Sequence, residues 1–172
     1  MCMIALIRNY VGVEMRKAVL FLMLGLLPGV CQAELPGVRH WTLEQDLETS
    51  YKSIYNSLED NNMFVIFEAN MGRTLAGFSD RWGDNYNRNH LQGIRSMMFC
   101  NAWYVNEVSN IDPELLAFCP MHITLYRQDN ITHIIFTRPT HVGQRSAAAG
   151  LLEGLEAKVS AAVEAGIAAV QR

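Results

Sequence analysis

The chain has 172 residues, half of them hydrophobic, and its 14 basic and 17 acidic side chains give a formal net charge of −3. That length suits one domain around one core and leaves little room for two stacked ones. An acidic balance lacks the net attraction that drives phosphate-backbone binding, so no nucleic-acid role is expected.

The first segment with a defined layout is Met15 to Ala33. Met15-Arg16-Lys17 is a cationic head, Ala18 to Leu27 an apolar run, Pro28-Gly29 a break, and Ala33 the small residue a signal peptidase needs. This is the pattern of a secretory signal peptide. Its apolar run has about ten residues where a spanning helix needs roughly 20, so no permanent membrane span is expected. Residues 1–14 read as an over-extended start; a long n-region is the alternative and leaves the same mature chain. Cleavage after Ala33 would release a single domain over residues 34–172, periplasmic or secreted. Losing Arg8, Glu14, Arg16 and Lys17 takes the count from 14 basic and 17 acidic groups to 11 and 16, a net −5. Cys31 is a poor lipidation site, because Pro28, Gly29 and Val30 precede it instead of a leucine followed by small residues. With Cys2 and Cys31 removed, Cys100 and Cys119 remain as a pair.

In the mature segment, Val38 to Trp41 reads as a short leading strand. Thr42-Leu43-Glu44-Gln45 has the form of a capping box. Leu43, Leu47, Tyr51, Ile54 and Leu58 follow as one helical stripe that ends at Glu59-Asp60-Asn61-Asn62. Met63 to Ala69 is a compact β-branched and aromatic run, an interior strand. From Gly72 to Gly93 the chain is polar and irregular yet carries Phe78, Trp82, Tyr86 and Leu91, and excursions of this length tend to be functional or locally structured. Arg95 to Asn101 is a further strand, Trp103 to Val108 a helical turn, and Asp112-Pro113-Glu114 opens a short helix to Phe118.

Met121 to Tyr126 and Ile131 to Arg138 form a hairpin around Gln128-Asp129-Asn130. With Asp129-Asn130 as a two-residue loop, Tyr126 faces His133, Leu125 faces Ile134 and Ile123 faces Phe136. One face is then apolar and the other carries His122, Thr124, Tyr126, His133 and Thr137. Ser146 is expected to cap a last helix, with Leu151, Leu155, Val159, Val163 and Ile167 on its inner side and Glu153, Glu156 and Glu164 on its wet side.

Phe99-Cys100-Asn101, then Asp112-Pro113-Glu114-Leu115-Leu116, then Cys119-Pro120 ahead of a hairpin ending Arg138-Pro139-Thr140 resembles, in order and spacing, the bacterial family called domain of unknown function 302. The similarity covers roughly residues 50–170. It implies an α+β domain of β-α-β4-α order with TATA-binding-protein-like topology, a largely antiparallel sheet covered by a long C-terminal helix, and often a homodimer. It implies no established activity. The element order read from the residues agrees with that topology.

Cys100 and Cys119, at the end of one strand and the start of the next, suit a structural disulfide in an exported chain. Separate buried thiols and a redox-active pair remain alternatives. No two histidines have HxH or HxxxH spacing. His122 and His133 share a face but lie about 13 Å apart at strand rise, too far for one mononuclear metal. Arg73, Arg81, Arg88, His90 and Arg95 surround Trp82 and Tyr86, a mixture that can take a small anion or an aromatic ligand. Asp80 and Asp84 interleave with them, so a solvated, internally paired loop is the plainer alternative.

The function expected is therefore an exported small-ligand-binding or accessory protein, without a cofactor or metal that the sequence can specify. Its site would combine His122, Tyr126 and His133 from the polar sheet face with Arg81 and His90 from the loop. A thiol-redox or metal- or haem-dependent enzyme using Cys100 or Cys119 with a histidine is the alternative, and a purely structural dimeric partner protein the third.

Overall fold

Five antiparallel strands make one sheet, in the order Val38–Leu43, Ile131–Thr137, Met121–Gln128, Gly93–Cys100 and Phe64–Ala69. The structure, a computed structural model, describes residues 35–172, so the leader and its cleavage point lie outside the described residues. The chain runs through β1 (Val38–Leu43), α1 (Leu47–Asp60), β2 (Phe64–Ala69), and short helices α2 (Met71–Ala76) and α3 (Ser79–Trp82). A 3-10 turn over Gly83–Asn85 leads to β3 (Gly93–Cys100) and α4 (Ala102–Ile111). A 3-10 segment over Pro113–Phe118, β4 (Met121–Gln128), β5 (Ile131–Thr137), α5 (Pro139–Val142) and α6 (Ala149–Val170) complete it. This is the expected α+β architecture, with a long C-terminal helix. Among the described residues, no helix is long and apolar enough to cross a membrane.

The β4–β5 hairpin has the register its sequence implies. Ile123 pairs with Phe136, Leu125 with Ile134, and Tyr126 with His133. Asp129 and Asn130 both have positive φ, 50° and 65°, which is the turn geometry that matches strand twist in a two-residue hairpin. Period-2 alternation then sends Ile123, Leu125, Ile134 and Phe136 to the covered face, where each is at most 2% exposed. They join Met97 and Phe99 of β3, Tyr51, Ile54 and Leu58 of α1, and Leu152, Leu155, Val159 and Val163 of α6 in one core. Each such side chain contributes roughly 2 kcal/mol by leaving water.

Helices α1 and α6 approach closely because α6 presents small residues. A Cβ at Gly166 would sit 2.8 Å from Ile54 Cδ1 and 3.1 Å from the Ser53 carbonyl oxygen. Two hydroxyls tie the pair: Ser53 Oγ donates to the Gly166 carbonyl at 2.7 Å, and Ser57 Oγ to that of Ala162 at 2.6 Å.

Several boundaries differ from expectation. Asp46 caps α1, its Oδ1 accepting from Thr49 N at 2.9 Å, while Thr42 and Leu43 continue β1. The strand wins because Thr42 pairs with His133 and Leu43 turns into the core, 4% exposed. Residues 102–111 form a full helix, capped by Asn101, whose Oδ1 accepts from Tyr104 N. Helix α6 starts at Ala149, and Ser146 instead donates to Asp112 Oδ2 at 2.6 Å.

Glu156 is not on a wet face. It is 3% exposed, with Arg138 Nε donating to it at 2.8 Å, Thr140 contributing both its amide and its hydroxyl, and Arg39 Nε in an ion pair at 3.4 Å. Helix α6 buries more than one stripe, and the turn Arg138-Pro139-Thr140 supplies the partners that make a carboxylate there tolerable.

Candidate functional site

The β2–β3 connection does not wander. Asn70 caps α2 through Oδ1 accepting from Arg73 N, and Asn87 closes a loop by pairing its amide with both the N–H and the C=O of Leu91. The insertion leans back on the start of β3, where a Cβ at Gly72 would lie 2.8 Å from Ile94 N, so only a glycine permits this approach. The result is a cleft of about 560 Å³ between the insertion, the first turn of α1 and the start of β3.

Leu47, Leu75, Leu91 and Ile94 supply apolar wall, Trp82 and Tyr86 aromatic surface, and Arg73, Arg88 and Arg95 positive charge. Arg95 is partly committed: Nη1 lies 2.5 Å from Glu48 Oε2, and the guanidinium sits 4.1 Å over the Tyr51 ring. Its Nε is buried without a hydrogen-bond partner. Burial, followed by the Glu68 carboxylate, pushes the Tyr51 hydroxyl up to about 12, so Tyr51 is a neutral support for Arg95 across the ordinary pH range. Among the described residues, Arg73 and Arg88 make no ion pair.

The expected site residues fall into separate groups. Arg81, on α3, and His90, at a positive-φ turn, belong to the insertion but do not line the cleft. Arg73, Arg88, Arg95, Trp82 and Tyr86, noted in the sequence for their composition, do line it. The cleft wall opposite the insertion is α1, not the polar sheet face, so His122, Tyr126 and His133 lie elsewhere.

Tyr126 and His133 come together on the uncovered sheet face, their rings 4.6 Å apart and 3° from parallel. His122 is on the same face but further along β4, opposite Met98. The neighbour that sequence reasoning missed is His40. Strand β1 lies beside β5, and His40 Nε2 sits 2.9 Å from His133 Nδ1 with the rings stacked at 5.1 Å. Only the β1–β5 pairing, with Thr42 opposite His133, could have revealed this. Burial and then His40 lower the His133 pKa from its ordinary value, while Asp129 opposes them.

Cys100 and Cys119 are not bonded to each other in the structure, so the expected bridge is not shown. They are neighbours: burial and then the adjacent Cys100 thiol push Cys119 up to about 11. That value keeps Cys119 protonated and unreactive at neutral pH.

The family described as "Domain of unknown function DUF302" matches residues 39–166. A solved structure described as that of an uncharacterized conserved DUF302 protein from Bacillus stearothermophilus superposes with a TM-score of 0.66. It is 14% identical and covers 76% of this chain and 98% of that one, a likeness of fold alone. No curated protein matches the chain.

Proposed function

We propose, for a chain that belongs to the DUF302 family, that it is an exported protein binding a small organic anion in the cleft between the insertion and α1. One observation carries this reading: an aromatic-walled cleft holds two unpaired arginines, Arg73 and Arg88, in a protein whose segment after Ala33 is net acidic. Positive potential concentrated in a concave, partly apolar site selects an anion with a flat or apolar body, such as an aromatic carboxylate.

Titration with benzoate and with inorganic phosphate, followed by amide chemical shifts, tests it. Benzoate should perturb residues 72–95 selectively, and an Arg73→Glu/Arg88→Glu variant should abolish the response. Equal shifts in wild type and variant would show that the arginines recognise nothing.

A dimer is supported by a second observation. Strand β2, expected from the sequence to be interior, is an edge strand that exposes Phe64, Ile66 and Phe67 by 50–60%, with Glu68 and a register shift between Val65 and Phe67 as its blunting features. Export is supported by the leader pattern, and the nearness of Cys100 to Cys119 supports a disulfide formed after export.

A further inference from the structure

The imidazoles of His40 and His133 are the one place among the described residues where two strong metal-ligating nitrogens meet. From their geometry we infer that they form a binding site for a divalent late transition ion, Cu²⁺ above all, on the uncovered sheet face. Two nitrogens each about 2.0 Å from one ion and at right angles to each other lie roughly 2.9 Å apart. His40 Nε2 and His133 Nδ1 are 2.9 Å apart before any ion enters. In the neutral pair a shared proton lies on the line between the nitrogens; an ion about 2.0 Å from His133 Nδ1 would displace it, with His40 turning so that its Nε2 meets the ion from the side.

The surroundings favour the exchange. Tyr126 lies flat on His133 and holds its ring, so one ligand is preset and only the more exposed His40 has to adjust. Asp129 acts electrostatically on His133 in the direction that favours a nearby positive charge. No group of three His, Cys, Asp or Glu side chains converges among the described residues, so water would complete the coordination. An imidazole pair with open positions suits Cu²⁺, which such donors bind more tightly than the other divalent first-row ions. The site is distinct from the arginine cleft and does not depend on it.

Titrating the purified, leader-free protein with CuSO₄, read by calorimetry and by the nitrogen hyperfine pattern in electron paramagnetic resonance, tests the inference. One ion per chain should bind with a two-nitrogen signature. His40→Ala and His133→Ala should each weaken binding by at least about tenfold, because removing either ring ends the chelate. His122→Ala, on the same face, should stay within about twofold of wild type. His40 is an exposed residue, so its replacement leaves the core intact, and circular dichroism verifies that the variant is folded. Binding that survives His40→Ala unchanged, or that is lost with His122→Ala instead, overturns the assignment, as does the absence of any bound ion at 100 μM free copper, on the order of the weakest affinity a bidentate imidazole site should show.

Discussion

Tyr126 and His133 sit directly opposite one another on β4 and β5, with ring planes only 3° from parallel. A one-residue slip would place them on different faces, so the stack reports the hairpin register that also buries Ile123, Leu125, Ile134 and Phe136.

The same stack makes stability depend on pH. Burial and His40 hold the His133 pKa below 6.5, so between that value and its folded one the unfolded chain binds more protons. The contribution is complete above about 6.5 and is lost as pH falls through the lowered value. Urea unfolding from pH 7.5 to 5 should show wild type losing more stability than His133→Asn over that window. Parallel curves would show that His133 titrates as it does in the unfolded chain.

Glu156 gives a test of the same sense at lower pH. Burial would raise its carboxyl pKa, but hydrogen bonds from Thr140 and Arg138 outweigh burial and hold it below the ordinary 4.5. Its stabilisation is therefore present above that value and fades as pH falls through the lowered one. Glu156→Ala should cost about 2–3 kcal/mol at pH 7, the scale of charge-assisted hydrogen bonds, discounted because Arg138 can reach water. Glu156→Gln should cost less, since an amide oxygen can still accept from Thr140. A loss below about 0.5 kcal/mol in chemical denaturation would assign the cluster to the surface class of ion pairs.

These two residues mark what the sequence makes legible. The hairpin declares itself because alternating apolar residues flank Asp129-Asn130, a local signal that needs no other part of the chain. His40 joins the stack only through the β1–β5 pairing, 93 residues apart in sequence, and nothing near Val38–Trp41 announces that neighbour. Glu156 looks like an exposed helix position because its partners, Arg39, Arg138 and Thr140, come from β1 and from the β5–α5 turn. The cleft is an intermediate case. Its arginines and aromatics are visible as composition in the insertion, whereas its opposite wall depends on Gly72 seating the insertion against β3.

Export gives a prediction about covalent structure. Expression with the native leader in a bacterium should yield a mature chain beginning at Glu34, as read by intact mass and N-terminal sequencing. A chain retaining Met15, or one beginning at a lipid-modified Cys31, would remove the periplasm from the functional reading.

The thiols supply the last prediction, because compartment and pKa act on them in opposite directions. In reduced protein, burial and the neighbouring Cys100 thiol hold the Cys119 pKa well above that of free cysteine, so iodoacetamide at pH 8 should modify it at least about tenfold more slowly than free cysteine. A slow nucleophile does not prevent a stable product, and an oxidising compartment with a disulfide catalyst gives the pair time to close. Protein isolated after export should then show no free thiol at Cys100 or Cys119 when labelled under denaturing, non-reducing conditions. Closing the loop between them should add about 3 kcal/mol through the unfolded chain, and reduction should return it. Cys100→Ser and Cys119→Ser should each match the reduced wild type in stability. If Cys119 is alkylated as fast as free cysteine, the thiol is not held as the structure holds it. If thiols stay free after export, the pair is a buried, inert one, and the stability of this domain rests on its core and on the Glu156 cluster alone.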